Sequence, residues 1–117
     1  MKILEAACRW RDTWERCWRA HEPREIIALY TEDAYFRSHP FRKAQTPREY
    51  IEPTLAGEAS TECWFGDPIV TDDRAAVEWR GQTKLKDGGV ETIAGVSLLR
   101  FNDDGLVIEQ RDFWAAA

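Results

Sequence analysis

The sequence predicts an α+β domain, with N-terminal helices packed on one face of a strongly bent antiparallel sheet around a central pocket. Three observations lead there. Apolar residues recur at helical steps in the first half, and strand-like segments separated by turn signals fill the second. Two glycines, Gly81 and Gly95, fall in the middle of long strands, where they favour a sharp bend. Helices followed by an antiparallel meander is the order of an α+β fold.

Residues 4–19 place Ala7, Trp10, Trp14, Cys17 and Trp18 at three- and four-residue steps, the stripe of an amphipathic helix. Pro23 suits the first turn of a second, short helix through Ile26, Ile27, Leu29 and Tyr30. Residues 34–39 are β-prone and end at Pro40, which predicts a short strand. Thr46 and Glu49 form a capping box with Pro47 at the first helical position. The helix they start should kink or break near Pro53 and end by Gly57.

Four strand segments follow, around 64–70 and over 75–84, 90–101 and 106–114, joined by turns at Thr71, Asp72 and Asp73, at Asp87, Gly88 and Gly89, and at residues 102–105. Counting inward from the turns sets Gly81 opposite Gly95 and Trp79 opposite Ser97. It sets Ser97 opposite Gln110 and Gly95 opposite Asp112. The inner face then carries Ala75, Val77, Trp79 and Gly81, then Gly95, Ser97, Leu99 and Phe101, then Leu106, Ile108, Gln110, Asp112 and Trp114. A one-residue slip would turn Glu78 and Arg80 inward, which argues for this register. The opposite face mixes Val96, Leu98 and Phe113 with charges of both signs, the composition of a homodimer interface or a surface charge ladder.

The 117 residues suit one domain, 1–117, without repeats or linkers. A net charge of −5 and arginines scattered among acids exclude the basic stripe that nucleic acid or an anionic membrane requires. No apolar run has the length of a membrane span. The three cysteines, Cys8, Cys17 and Cys63, have no CxxC spacing, and the two histidines no ligand spacing. They read as reduced thiols in the cytoplasm, with no disulfide, metal or cofactor.

Asp112 is the leading candidate for chemistry. A carboxylate among Leu99, Phe101, Ile108 and Trp114 is held there at a cost unless it is paired or protonated. Gly95 opposite it would leave room for a ligand atom. Walls of Trp14, Trp79 and Trp114 would raise its pKa by desolvation and suit it to general acid/base work. His39, before Pro40, is the candidate partner, because histidine titrates near neutrality. Ser97 and Gln110 could orient a carbonyl, and Tyr35 with Trp14 would complete the pocket wall.

The Trp-rich first helix, residues 26–40, Ala-Ala-Val-Glu-Trp (75–79), Leu-Arg-Phe-Asn-Asp-Asp-Gly (99–105) and Gln-Arg-Asp-Phe-Trp (110–114) resemble the nuclear transport factor 2-like superfamily, and most of all its SnoaL-like, polyketide cyclase-like branch. The resemblance spans nearly the whole chain and implies a cone-shaped, cystatin-like α+β fold with a deep pocket. SnoaL-like cyclases use an Asp on the last strand as general acid/base, and Asp112 matches that place. Ketosteroid isomerases of the fold use a helix-1 Tyr, an Asp before Pro and an Asp on a long strand. Those places here hold Trp14, Ser38 or His39, and Ser97, so the isomerase oxyanion pair is absent. The fold hosts many unrelated activities. Two function classes therefore stand open. One is a cofactor-free isomerase, cyclase or dehydratase acting on a small hydrophobic carbonyl or ring compound. The other is a non-catalytic ligand-binding or protein-interaction module.

Overall fold

The computed structural model describes residues 1–117. Helix α1 runs Ile3–Ala20 and buries Ala6, Ala7, Trp10, Trp14, Cys17 and Trp18, the stripe expected from their spacing. It stops at His21, which takes the left-handed conformation (φ 56°) and returns its backbone N–H to Cys17 and Trp18. Helix α2 (Pro23–Ile27) is shorter than predicted, because the chain turns at Ala28 and extends from Tyr30. Strand β1 is therefore Tyr30–Arg37 rather than 34–39. Helix α3 (Pro47–Ala56) has the capping box at Thr46 and Glu49, carries Pro53 within it and ends at Gly57.

The remaining strands are β2 (Glu58–Phe65), β3 (Ile69–Thr71), β4 (Arg74–Leu85), β5 (Val90–Phe101) and β6 (Val107–Ala116). The segment around 64–70 is thus two strands, broken at Gly66–Pro68. Sheet order is β1-β6-β5-β4-β2, with β3 also on β4. The sheet is mixed rather than wholly antiparallel, since β1 runs parallel to β6. No hairpin constrains that pair: residues 38–106 lie between them, ample for a parallel crossover.

Both hairpin registers differ from the count, each by two residues. Trp79 pairs with Gly95 and Val77 with Ser97, because the β4–β5 loop takes five residues (85–89) instead of three. Ser97 pairs with Asp112 and Gly95 with Trp114. Here Leu106 joins the loop, held by Asn102 Oδ1, and the register shifts once more after Arg100. An even slip keeps side chains on their faces. Trp79, Ser97, Gln110 and Asp112 are all buried on the helix side. Below the bulge the parity flips, so Val107 is buried in place of Leu106 and Ile108.

The core is aromatic. Trp14 meets Trp18 edge to face at 6.2 Å, and Trp18 meets Trp79 the same way at 6.2 Å. Gly81 faces Trp18: a Cβ there would sit 2.3 Å from the end of its ring. Gly95 does not clear space above Asp112. A Cβ there would sit 2.2 Å from the Phe113 carbonyl oxygen, so this glycine permits a close approach of β5 to β6. No helix is long and apolar enough to cross a membrane.

Candidate functional site

A cavity of about 320 Å³ lies between α1, α3 and the concave sheet face. Helix α1 contributes Trp10, Trp14 and Trp18, one per turn, and the sheet contributes Phe65, Trp79, Ser97, Gln110, Asp112 and Trp114. Phe65, not its neighbour Trp64, faces in; Trp64 is half exposed under Arg80.

The hydrogen bonds around Asp112 have one possible direction. An indole N–H can only donate. Trp79 Nε1 donates to Ser97 Oγ (2.9 Å), so the Ser97 proton goes on to Asp112 Oδ1 (2.6 Å). Trp10 and Trp14 donate to the Tyr30 hydroxyl (3.0 and 2.9 Å). Tyr30 then donates to Gln110 Oε1, and Gln110 Nε2 donates to Asp112 Oδ1 (3.0 Å). Two relays that begin on tryptophans thus converge on one carboxylate oxygen, each bond polarising the next. The other oxygen, Oδ2, has no protein partner and faces the cavity.

Desolvation raises the Asp112 pKa to about 6; the bonds from Ser97 and Gln110, and the Arg42 charge, pull the other way. Because Oδ1 accepts two donors, a proton on Asp112 must reside on Oδ2, pointing into the cavity. Burial also lifts the Tyr30 phenol far above its ordinary value, against the two indole bonds, so it remains a neutral donor. Tyr50, which lines the cavity from α3, is likewise raised by burial.

Of the residues singled out in the sequence, Asp112, Trp14, Trp79, Ser97, Gln110 and Trp114 come together here. Tyr35 does not. With β1 beginning at Tyr30, the inward positions are Tyr30, Ala34 and Phe36, and Tyr35 lies on the outer face under the Arg111 guanidinium (4.6 Å). His39 stands at the rim: its ring meets the Trp114 edge at 4.6 Å, and its Nδ1 accepts from Phe41 N–H. It does not reach Asp112 through any hydrogen bond. Ser97 holds Asp112 rather than offering its proton to a ligand.

Three cavity residues, Arg42, Tyr50 and Glu58, and Tyr30 behind Gln110 are absent from the sequence-based expectations. Tyr30 was hidden by an over-extended second helix. Arg42 enters from the loop after β1, bonding Ser38 Oγ (3.1 Å) and lying over Trp114 (5.3 Å). Tyr50 sits on α3, whose short sequence pattern does not single out an inward face. Glu58, the first residue of β2, is only 5% exposed, and a strand expected around 64–70 does not reach it. No three His, Cys, Asp or Glu side chains converge as a metal would require.

Structural comparison places the fold among solved relatives. SalBIII, an epoxide hydrolase/cyclase-like enzyme in pyran ring formation in salinomycin, superposes with TM-score 0.78 at 16% identity, over 97% of this chain and 90% of its own. The Δ5-3-ketosteroid isomerase of Mycobacterium sp. gives 0.74 at 16% over 98% and 95%. An NTF2-like protein from Exiguobacterium sp. 255-15 gives 0.72 at 16% over 96% and 98%. No curated protein matches the sequence. The SnoaL-like domain model matches residues 10–110, from the first cavity tryptophan on α1 to Gln110 beside Asp112. With the NTF2-like structure showing the same fold, a match of that extent makes the chain a member of the SnoaL-like domain family.

Proposed function

We propose that the cavity binds a small, partly hydrophobic carbonyl or ring compound, and that Asp112 acts on it as general acid/base without a cofactor. One observation carries this: the carboxylate is held through Oδ1 by two donors while Oδ2 faces the cavity, with its pKa raised to about 6. Such a group takes and returns a proton near neutral pH. Oδ2 removes a proton from the carbon beside a carbonyl, and the C–H electron pair becomes the enolate. Returning that proton to a different carbon gives isomerisation. Giving it to a departing β-hydroxyl releases water. Giving it to the alkoxide left when the enolate carbon attacks a second carbonyl completes a cyclisation. Arg42 and Tyr50 supply donors for the enolate oxygen. The names of two structural neighbours, a cyclase-like enzyme and an isomerase, agree with this class of chemistry.

The test is a thermal-shift screen of cyclic ketones, terpenoids, steroids and aromatic polyketides, followed by turnover assays on the binders. Specific binding raises Tm with the logarithm of ligand excess. Binding with turnover that needs Asp112 supports the reading. Binding without turnover makes the protein a ligand-binding module of the same fold.

Two further expectations attach to this reading. Five tryptophans line the cavity, so a bound hydrophobic ligand should shift or quench intrinsic emission, and an unchanged spectrum with a ligand proven to bind would place that ligand elsewhere. The outer face carries Leu98 at 43% and Phe113 at 36% exposure, the latter under Arg37 at 5.5 Å. We expect this face, with Val96, to pair two copies. Light scattering at high micromolar concentration should give twice the chain mass, and a monomer there would count against the pairing.

A further inference from the structure

The cavity holds a second buried acid that the mechanism above does not use. Glu58 lines the same cavity at 5% exposure. Its hydrogen bonding repeats the pattern at Asp112. Trp18 Nε1 (2.9 Å) and Thr61 Oγ1 (3.2 Å) both donate to Oε1, and Oε2 has no protein partner, nor is it among the fully enclosed polar atoms that lack one. The Thr61 proton is thereby committed, so His21 Nε2 (2.9 Å) must donate to Thr61 Oγ1. The other ionisable groups near Glu58 are His21, 3.8 Å away, and Glu91 and Cys63, whose charges couple to it; no Lys or Arg pairs with it. Burial raises its pKa, against the bonds from Trp18 and Thr61.

The two acids lie apart along the cavity. Asp112 is tied through Ser97 to Trp79, Glu58 is tied to Trp18, and the two indoles meet edge to face between them. In the sheet Asp112 stands opposite Ser97, and Thr61, which bonds Glu58, stands opposite Thr83 of β4. A buried carboxylate oxygen without a donor is a liability unless something in the cavity satisfies it.

We propose that Glu58 is a second anchor of the cavity, and that the ligand is an elongated apolar ring compound with two oxygen functions: one worked on at Asp112, and a hydroxyl donating to Glu58 Oε2. This rests on the reading of the cavity given above. Such a ligand carries an oxygen at each end and passes the Trp18–Trp79 contact between the two acids. In this arrangement Asp112 does the chemistry and Glu58 fixes which end of the ligand meets it.

Two probes that differ only in a donor test this. Naphthalene-2,6-diol and 6-methoxy-2-naphthol share shape and one hydroxyl, but only the diol can donate at both ends. Calorimetry at pH 8 should show the diol binding about tenfold tighter to the native protein. In Glu58→Gln the amide Nε2 can donate to a hydroxyl or a methoxy oxygen alike, so the preference should collapse to about one. Equal binding of the two probes by the native protein overturns the inference, and needs no variant to fold. A preference that survives Glu58→Gln also overturns it. Binding of 6-methoxy-2-naphthol that weakens in Asp112→Asn upholds the cavity reading whatever the diol does. If neither probe binds, both fall.

Discussion

Asp112→Asn should abolish turnover and stabilise the protein at the same time. Asparagine is nearly isosteric, and its Oδ1 can still accept from Ser97 and Gln110, with the new amide N–H₂ facing the cavity. The fold should therefore hold. Loss of a general base should lower any proton-transfer rate about a hundredfold or more. In the native protein the base form of Asp112 accumulates above about pH 6, so any proton-transfer rate should rise through that pH, and the variant should lack the step. The stability effect follows from the same shift. A carboxyl near 3.8 unfolded and about 6 folded binds more protons in the native state between those values, so stability falls as pH rises through that window. Above it the ionised group leaves the fold weaker by on the order of 2–3 kcal/mol, at 1.36 kcal/mol per unit. Asp112→Asn should unfold several degrees higher than the native protein at pH 7.5, with the gap closing by pH 4. A variant that unfolds while the native carboxylate proves to be locked against an arginine would make Asp112 part of the scaffold.

The face of the sheet was legible in the sequence although its register was not. Alternation has a period of two, so the pattern from Ala75 to Gly81 and from Gly95 to Phe101 specifies which residues face the helices. It says nothing about slips of an even number. Those are set by loop length, and both loops take up two more residues than the count from the turn signals: five residues at 85–89 instead of three, and Leu106 and a bulge beyond 102–105. The bulge is the exception that pattern reading cannot foresee, and it exchanged Ile108 for Val107 in the core.

The site was legible where it depends on facing and hidden where it depends on element boundaries. Asp112, Gln110, Ser97, Trp79 and Trp14 follow from periodicity alone. Tyr30 and Glu58 each stand at the first position of a strand, next to a helix end, where helical propensity and strand pattern overlap. Strand β1 starts four residues before 34, which brings Tyr30 into the hydrogen-bond chain behind Asp112, while Tyr35 faces outward because it alternates with the buried Ala34 and Phe36. The acid at Glu58 is recognisable only once Trp18 and Thr61 are seen to share its one oxygen, a convergence from α1 and β2 across 40 and 3 residues of sequence.

Gly95→Ala should be far more damaging than Gly81→Ala, although both glycines sit mid-strand beside the cavity. At Gly81 the obstacle to a Cβ is the outer edge of the Trp18 ring, at 2.3 Å. A side chain can tilt, so the loss there is limited to Trp18 packing and its bond to Glu58, about 1–3 kcal/mol. At Gly95 the obstacles are the Phe113 carbonyl oxygen at 2.2 Å and the Trp114 Cβ and Cα at 2.5 and 2.7 Å. Backbone cannot step aside without parting β5 from β6. The Ser97–Asp112 pair stands two residues along that same ladder, so parting the strands there also disturbs the Ser97 bond to the carboxylate. The expected loss is roughly 3 kcal/mol or more, a large part of what holds a domain of this size. Urea unfolding should show the Gly95→Ala midpoint well below that of Gly81→Ala, with Tm lowered by more than 10 °C at the usual few degrees per kcal/mol. Equal midpoints for the two variants would mean that β5 and β6 can separate by about an ångström without loss, and that Gly95 does not hold the strands at their observed approach.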